Sequence, residues 1–247
     1  DVKNIRTTAH RKNSGTYVLN GSKMFITNGV HADLYCVAAK TDPTGQPGRN
    51  VTMFLVEKGR PGFGVVRQLE KHGWRSSDTA ELVFEDCEIP ADNILGEENQ
   101  GFYSIMRNFQ NERLVIRAMA VGEAVAAIEL TLDFLKTRQA FGAALWQKQA
   151  IRQRIAMLSA RTAAARQLVY ATALRDAEGE DVVREVSMIK ALCGELVNDV
   201  MYDCLQFHGG SGYMQGMAIG RLARDARVQS IGGGATEVML EEVAKRL

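Results

Sequence analysis

The stretch AELVFEDCEIPADNILGEENQGF, residues 80–102, decides the fold, because the spacing of apolar residues changes within it. Residues 80–89 are rich in valine, isoleucine and phenylalanine and read as a β-strand. From Gly96 onward, apolar residues recur at the 3.6-residue period of an α-helix, and the chain contains no further proline. We therefore predict two domains, residues 1–95 and residues 96–247.

Upstream of this stretch, short β-type runs alternate with turn residues. The predicted strands are 17–19, 24–27, 34–40, 51–58, 63–69 and 80–89. Asn20 and Gly21 stand between the first two runs, and both residues tolerate positive φ. The pattern therefore predicts a β-hairpin with its turn at Asn20-Gly21.

Downstream of it, helices are predicted at 101–137, 146–177, 182–208 and 236–246, with a shorter helix near 216–227. Strands followed by a run of helices indicate an α+β protein and not a repeated βαβ fold. We expect an antiparallel β domain followed by an antiparallel helical bundle.

Composition is that of an ordinary soluble protein, with 247 residues, 46% of them hydrophobic, and a net charge of +1. A near-neutral chain argues against nucleic acid or an anionic membrane as a partner, although the clustered Arg221, Arg224 and Arg227 leave a nucleic-acid-associated protein open. No apolar run approaches the ~20 residues that a membrane-spanning helix requires.

Cysteine and histidine spacings give no sign of a metal site. The cysteines are Cys36, Cys87, Cys193 and Cys204, each among apolar neighbours, and the four histidines are far apart. We expect no metal, and buried free thiols in a reducing compartment.

Three segments are candidates for ligand binding, each with a plain structural alternative. KMFITNG (23–29) offers a hydroxyl and backbone amides to a planar ligand, or is only a strand closing into a turn. TRQAFG (137–142) offers an arginine to a phosphate, or is a helix ended by glycine. QFHGGSGYMQG (206–216) offers amides to an anion, or is a glycine-rich connection between helices.

A fourth segment, QSIGGGATEVM (229–239), holds three consecutive glycines just before the last predicted helix. Glycine loses more backbone freedom on folding than any other residue. It is therefore expected where the backbone adopts unusual angles or lies close to a flat or bulky group, and these glycines supply no acid or base themselves.

In this order along the chain, the motifs resemble those of the acyl-CoA dehydrogenase family. The resemblance is carried by YVLNGSKMFITNG, GWRSSDTAELVFEDCEIPADNILGEENQGF, ERLVIRAMAVGEA, TRQAFG, QFHGGSGY and IGGGATEVM. It implies a middle β-barrel domain and a C-terminal four-helix bundle. The family's N-terminal helical domain is not in this sequence, so we expect a fragment, a proteolysed product or a truncated gene product.

The resemblance implies FAD as cofactor and assigns residues to it and to an acyl-CoA substrate. The expected FAD contacts are Phe25, Ile26, Thr27, Arg138, Phe141, Gln149, Gln206, Phe207, His208, Gly209, Gly210, Ala235, Thr236 and Glu237. The expected substrate contacts are Gln110, Asn111, Arg113, Gly233 and Gly234. Several of the FAD contacts belong to a neighbouring subunit in the family, so the resemblance also implies a homo-oligomer, usually a tetramer.

Glu112 is the expected catalytic base. In many members of the family, the position that matches Gly233 holds the glutamate that removes the substrate's α-proton. A second group, which includes the long-chain and isovaleryl enzymes, places its base in an E-R-L setting on an earlier helix, and FQNERLVIR puts Glu112 there. On a helix, Glu112 neighbours Phe109, Val115 and Ile116, so we expect partial burial, which makes a carboxyl a better proton acceptor near neutral pH.

The reaction that the resemblance implies is α,β-dehydrogenation of an acyl-CoA to a trans-2-enoyl-CoA, with hydride transfer to flavin N5 and electrons passed to an electron-transfer flavoprotein. Fatty acid β-oxidation in a bacterial cytoplasm, or in the mitochondrial matrix, is the expected setting. The alternatives are an oxygen-using flavoenzyme of the same fold and an inactive flavin-binding or oligomerising remnant. For Glu112, the structural alternative is a salt bridge to Arg113 or Arg117, or an exposed acid on a frayed first helical turn.

Overall fold

The computed structural model describes residues 4–46 and 48–247. The chain divides into two compact units, Asp1–Asn108 and Phe109–Leu247. Each unit has its own hydrophobic core and is described by itself.

The described part of the first unit is built on one six-stranded sheet. Its strands are β1 (Thr8–Arg11), β2 (Thr16–Thr27), β3 (Leu34–Lys40), β4 (Val51–Glu57), β5 (Phe63–Gln68) and β6 (Thr79–Pro90), in the order β4-β3-β1-β2-β6-β5. Neighbouring strands are antiparallel except β1 and β3, which pair in parallel at Thr8 and Lys40. The expectation of a purely antiparallel sheet is therefore wrong at this one pairing, and closure into a barrel stays a prediction.

The predicted hairpin at Asn20-Gly21 is also wrong, because β2 runs without interruption from Thr16 to Thr27. The pairing of β2 with β6 shifts register between Leu19 and Gly21, which marks a β-bulge. Gly21 has φ +137°, and a Cβ there would lie 2.8 Å from the Cα of Thr7. The glycine thus serves a bulge and a close backbone approach and not a turn, and the strand β1 that follows Thr7 was missed.

Strand β3 shows how alternation builds the core of the first unit. Tyr35, Val37 and Ala39 are buried in one cluster, whereas Cys36 points to the opposite face and is exposed. The expectation of a buried thiol is therefore wrong for Cys36. It is confirmed for the other three cysteines, and within the described residues all four are free.

In the second unit, the described residues form three long helices, two nine-residue helices and a small hairpin. These are α1 (Gly101–Thr137, which begins in the first unit), β7 (Gln139–Ala140), β8 (Ala143–Ala144), α2 (Gln149–Ala177), α3 (Val183–Tyr213), α4 (Ala218–Ala226) and α5 (Thr236–Ala244). The α+β class is confirmed. The predicted glycine-rich connection after residue 208 is instead the last part of α3, which kinks at Gly209, where φ is +55° and ψ is −143°.

The core of the second unit lies between α1, α2 and α3 and is lined by aliphatic residues such as Ala124, Leu135, Leu158, Ile189 and Val200. Across residues 4–46 and 48–247, no helix combines the length and apolar character that a membrane span requires. The same residues contain no group of three or more histidine, cysteine and acidic side chains arranged to hold a metal ion.

Candidate active site

Helix α1 and the glycine-rich segment that precedes α5 are joined by a hydrogen bond. Arg113 Nε donates to the carbonyl oxygen of Gly233 at 3.0 Å. Burial lowers the pKa of Arg113, and the nearby carboxylates of Glu242 and Glu112 oppose that effect. The structure therefore brings the residue after Glu112 into contact with one of the two glycines expected to lie beside the substrate.

Glu112 itself is exposed at the surface of the described chain. Val115 and Met119, on the same side of α1, are also exposed, at 61% and 47%. The partial burial that the helical spacing predicts for Glu112 is therefore wrong for this chain. Of the apolar residues expected to cover the carboxylate, Phe109 and Ile116 are half-buried, and Val115 and Met119 are exposed.

The glycine segment, residues 229–235, begins within a short 3-10 helix (Arg227–Ser230) and leads into α5. Gly233 and Gly234 have φ of +70° and +110°, a backbone region that residues with a side chain rarely adopt. A Cβ at Gly234 would also lie 2.9 Å from the Cε of Met239. The conformation of the segment explains these two glycines, because it turns the chain sharply into α5.

A second arginine of α1 holds the start of the same segment. Arg117 is 1% exposed and donates from Nη1 to the carbonyl oxygen of Gln229 at 2.7 Å and from Nη2 to Gln229 Oε1 at 2.9 Å. Gln229 Nε2 lies 3.4 and 3.3 Å from the two carboxylate oxygens of Glu123. Sequence reasoning missed this network, since nothing in the sequence pairs positions 112 residues apart.

Electrostatics beneath the segment are dominated by buried cations. Burial lowers the pKa of Arg117 to about 10, so its guanidinium stays charged at neutral pH, and burial raises the pKa of Glu123. Lys190 on α3 is fully buried, and its amine has no hydrogen-bond partner among the described residues. Burial and the nearby positive charges of Arg117 and Arg113 lower the pKa of Lys190 to about 8, against the attraction of Glu237.

A groove of about 440 Å³ opens beside the first turn of α5. It is lined by the predicted cofactor residues Ala235, Thr236 and Glu237, together with Arg227 and Asn198. The hydroxyl of Thr236 is directed inward and donates to the carbonyl oxygen of Ser230 at 3.4 Å. Backbone and side-chain polar groups thus line a groove large enough for part of a nucleotide-sized ligand.

A second groove, also about 440 Å³, follows the kink of α3. It is lined by Tyr202, Leu205, Gln206, Gly209, Gly210 and Tyr213. Gln206 and the two glycines were predicted, whereas the tyrosines, 73% and 84% exposed, were missed although they lie at helical spacing from Gln206.

The remaining two residues predicted from the α3 motif turn away from that groove. His208 is buried, its Nδ1 lies 2.9 Å from the carbonyl oxygen of Cys204, and its ring stacks on Phe134 at 4.3 Å between centroids. Phe207 packs against the core of the second unit. Neither of these two residues lines the groove.

The TRQAFG motif forms the hairpin of β7 and β8, with Phe141 and Gly142 as its two-residue turn. Both turn residues have positive φ, +54° and +79°, as a type I′ turn requires. Phe141 is 92% exposed at the tip, and the predicted Arg138 and Gln149 are exposed at the end of α1 and the start of α2. The hairpin therefore presents an exposed aromatic ring at its tip.

In the first unit, Phe25 has the same two properties as Phe141. Its φ is +60°, and its side chain is 76% exposed, at a register shift between Lys23 and Ile26. Thr27, the last residue of β2, is exposed as well. Because a left-handed backbone is unfavourable for an aromatic residue, strain is stored where the strand presents its ring.

Two further predicted substrate residues lie on the turn of α1 before Arg113. Gln110 Nε2 lies 3.4 Å from Asp176 Oδ1, near the end of α2, and Asn111 is exposed. The amide of Gln110 is therefore already engaged within its own unit.

Taken together, these features define a two-unit α+β protein that presents exposed aromatic rings on strained backbone and an exposed carboxylate beside a glycine segment. The sequence model of the acyl-CoA dehydrogenase C-terminal domain matches residues 99–247, and that of the acyl-CoA dehydrogenase middle domain matches residues 1–87. The chain belongs to the acyl-CoA dehydrogenase family.

Individual relatives agree with this assignment. The chain is 40% identical to mitochondrial isovaleryl-CoA dehydrogenase of Pongo abelii, over 96% of this chain and 56% of that protein. It is 40% identical to mitochondrial long-chain specific acyl-CoA dehydrogenase of Sus scrofa, over 100% of this chain and 57% of that protein. The crystal structure of acyl-CoA dehydrogenase from Geobacillus kaustophilus matches with a TM-score of 0.97 and 41% identity, covering 100% of this chain and 65% of that one. The chain thus spans a little over half the length of these two curated relatives.

Proposed function

We propose that this chain supplies the catalytic base and part of the flavin site of an acyl-CoA dehydrogenase. The reaction is α,β-dehydrogenation of an acyl-CoA thioester to a trans-2-enoyl-CoA. The observation that supports it best is the bond from Arg113 to Gly233, because it ties the helix that carries Glu112 to the glycines expected at the thioester.

Glu112 acts in this proposal as the base that removes the α-proton of the thioester. A general base must lie within hydrogen-bond reach of the proton that it takes. The exposure of Glu112 leaves its carboxylate accessible to a substrate that lies over the outer face of α1. Arg113, which neighbours Glu112 and bonds to the glycine segment, keeps the carboxylate on that side.

The thioester oxygen gains negative charge as the α-proton leaves, so hydrogen-bond donors near that oxygen lower the barrier most. The backbone N–H groups around Gly233 and Gly234 are suited to this role. Gly233 is exposed, and a Cβ there would have no heavy atom within 4 Å among the described residues. A substrate can therefore approach the backbone of the segment closely.

The residues present fit FAD, which, when bound, would accept the β-hydrogen of the substrate as hydride. Phe25 and Thr27 offer a ring and a hydroxyl at the end of β2. In the second unit, the two grooves offer polar backbone and glycines without side chains at Gly209 and Gly210, where a planar or phosphate-bearing group can lie close to the chain. When FAD is bound, these residues would hold and orient it.

A homo-oligomer is part of the proposal. The hairpin tip at Phe141 and the tyrosines Tyr202 and Tyr213 are large, exposed and next to predicted cofactor residues. Exposed aromatic residues of this kind are enriched at interfaces between subunits. We propose that they complete the cofactor site of a second copy in a tetramer, and that the electrons leave to an electron-transfer flavoprotein.

The test is acyl-CoA-dependent bleaching of bound flavin in three variants of the purified protein. Glu112→Gln keeps the size of the side chain but removes the base, and we expect a loss of several powers of ten. Glu129→Gln, an exposed glutamate further along α1, is the matched control and should bleach like the wild type. Glu237→Gln tests a rival acid, since Glu237 lines the cofactor groove.

The outcomes separate the alternatives. Normal bleaching by Glu112→Gln together with loss in Glu237→Gln would move the base to Glu237. Bleaching followed by rapid reoxidation in air, without an added acceptor, would indicate an oxygen-using enzyme. A wild-type protein that carries no flavin spectrum would support a remnant without activity.

A further inference from the structure

Two arginines of α1 bond to two residues of the glycine segment, and the two arginines have the same separation in sequence as the two acceptor residues. Arg113 and Arg117 are four residues apart, so they lie on one face of the helix. Their acceptors, Gly233 and Gln229, are also four residues apart. One helix face therefore holds the segment at both ends.

Helix α3 also packs closely against the carbonyl of Gln229. A Cβ at Gly194 would lie 2.9 Å from the carbonyl oxygen of Gln229 and 3.2 Å from the Cα of Ser230, so only glycine admits the segment there. Asn198 Nδ2, one turn further along α3, donates to the carbonyl oxygens of Gly194 and Ala226 at 2.7 and 3.2 Å. The start of the segment is thus clamped between α1 and α3.

Stability alone does not account for a buried arginine here. Removing a charged group from water is costly, and well-packed apolar replacements of buried ionic groups are often neutral or stabilising. The Nε of Arg117 has no hydrogen-bond partner among the described residues, and Gln229 lies between its guanidinium and the nearby carboxylate of Glu123. Among the described residues, both side-chain hydrogen bonds of Arg117 go to Gln229, so what the side chain contributes is the position of that residue.

We infer that Arg117 is a positioning residue: through Gln229 it fixes the glycine segment against α1 and so sets the distance between Glu112 and the backbone of Gly233 and Gly234. This role rests on the proposed function, because Arg117 acts on catalysis only through the placement of those groups. Arg113 fixes the far end of the segment, and Arg117 fixes the near end.

The first experiment measures hydrogen exchange of the backbone amides of residues 229–236 and needs no catalytic activity. Arg117→Met removes both bonds and keeps much of the aliphatic stem, so we expect these amides to exchange at least about tenfold faster, since local opening is governed by the bonds that close it. Gln229→Met keeps the carbonyl acceptor and removes the side-chain bonds, and it should give a smaller increase. It also serves if Arg117→Met fails to fold.

Lys190→Met is the matched control. It removes a buried cation that interacts electrostatically with Arg117 and Glu237, without removing a hydrogen bond among the described residues. We expect no acceleration of exchange at residues 229–236 in this variant. Equal acceleration in Lys190→Met and Arg117→Met would overturn the inference, because the effect would then follow from losing buried charge in general.

The second experiment separates placement from binding in the enzyme loaded with FAD. We expect Arg117→Met to lower kcat about 100-fold with KM nearly unchanged, since a displacement of ~1 Å between reacting groups costs about that much. Arg117→Lys, which can still donate to the carbonyl of Gln229, should recover part of kcat. If the amide exchange rates of residues 229–236 are unchanged in both Arg117→Met and Gln229→Met, the inference is overturned whatever the activity. Normal flavin bleaching by Glu112→Gln overturns the proposed function instead and leaves the exchange result valid.

Discussion

Arg113 links two segments that are 120 residues apart, since its Nε donates to the carbonyl oxygen of Gly233 at 3.0 Å. The residue before it is the predicted base, and the residue after Gly233 continues the turn into α5. In the proposed function, this bond places a carboxylate on α1 and a segment without any acid or base of its own beside the same substrate.

A glutamate at position 233 of the glycine segment should be able to replace Glu112 of α1 as the catalytic base. In many members of the family, a glutamate occupies the position of Gly233, and a Cβ there would meet no heavy atom within 4 Å among the described residues. We expect Gly233→Glu to restore part of the flavin bleaching lost in Glu112→Gln, with a stability cost of ~1 kcal/mol from the positive φ. Gly233→Gln in the same background is the control, and recovery with glutamine as well would show that the carboxylate is not what matters.

The ring of Phe25 should strengthen FAD binding, whereas a residue with a Cβ at this position should lower the stability of the fold. Its φ of +60° is left-handed, which costs a residue with a Cβ ~1 kcal/mol and costs glycine little. We therefore expect Phe25→Gly to be more stable than Phe25→Ala by about that amount in urea unfolding of the FAD-free protein. Both variants should bind FAD more weakly than Phe25→Tyr, which keeps the ring. Equal FAD affinity in all three variants would contradict the prediction that the ring of Phe25 contacts the flavin.

Lys190 should make stability depend on pH. Burial lowers its pKa from 10.5 to about 8, so between these values the unfolded chain holds more protons than the folded one. Stability from this group therefore rises with pH across that window, and its full cost is present below pH 8. We expect Lys190→Met to stabilise the protein by about 2 kcal/mol more at pH 7 than at pH 9.5.

The control for Lys190 is Lys136→Met, which removes an exposed lysine of α1 and should show no such pH dependence. Denaturant unfolding at the two pH values measures both variants. A gain from Lys190→Met that is the same at pH 7 and pH 9.5 would mean that the buried amine is neutral, or solvated, throughout.

The four cysteines should react with a thiol reagent at two different rates, one rapidly and three slowly. Cys36 is exposed on the outer face of β3. Burial raises the pKa of Cys87 and raises those of Cys193 and Cys204 to about 11, so few of these thiols are in the reactive thiolate form. Labelling of the native protein with a thiol reagent should modify one cysteine rapidly, and Cys36→Ser should abolish that phase. Rapid labelling of a second cysteine would contradict the burial of the three.

Periodicity predicted the helices closely, because long amphipathic helices carry their own signal. Helix α1 was predicted at 101–137 and found at Gly101–Thr137. Residue type alone predicted less well where tertiary contacts determine the backbone. Asn20-Gly21 is a common turn pair, yet it lies in a bulge inside β2, where the backbone of Thr7 approaches Gly21 closely.

The candidate site was predicted in part, and for a similar reason. Family motifs pointed to Glu112 and the glycine segment, but helical spacing cannot tell which face of α1 is the outer one, and Glu112 proved exposed. The bonds from Arg117 to Gln229 depend on tertiary packing of positions far apart in the chain, which no local pattern encodes.

The most direct measurement is exchange of the α-hydrogens of a 3-thia-acyl-CoA with D₂O, followed by NMR. Sulphur replaces the β-carbon in this analogue, so the β-hydrogen cannot be transferred and only removal of the α-proton is observed. The account predicts catalysed exchange by the FAD-loaded wild type and by Glu129→Gln, and a rate lower by about a thousandfold or more in Glu112→Gln. Equal exchange rates for the wild type and Glu112→Gln would contradict the assignment of Glu112 as the base.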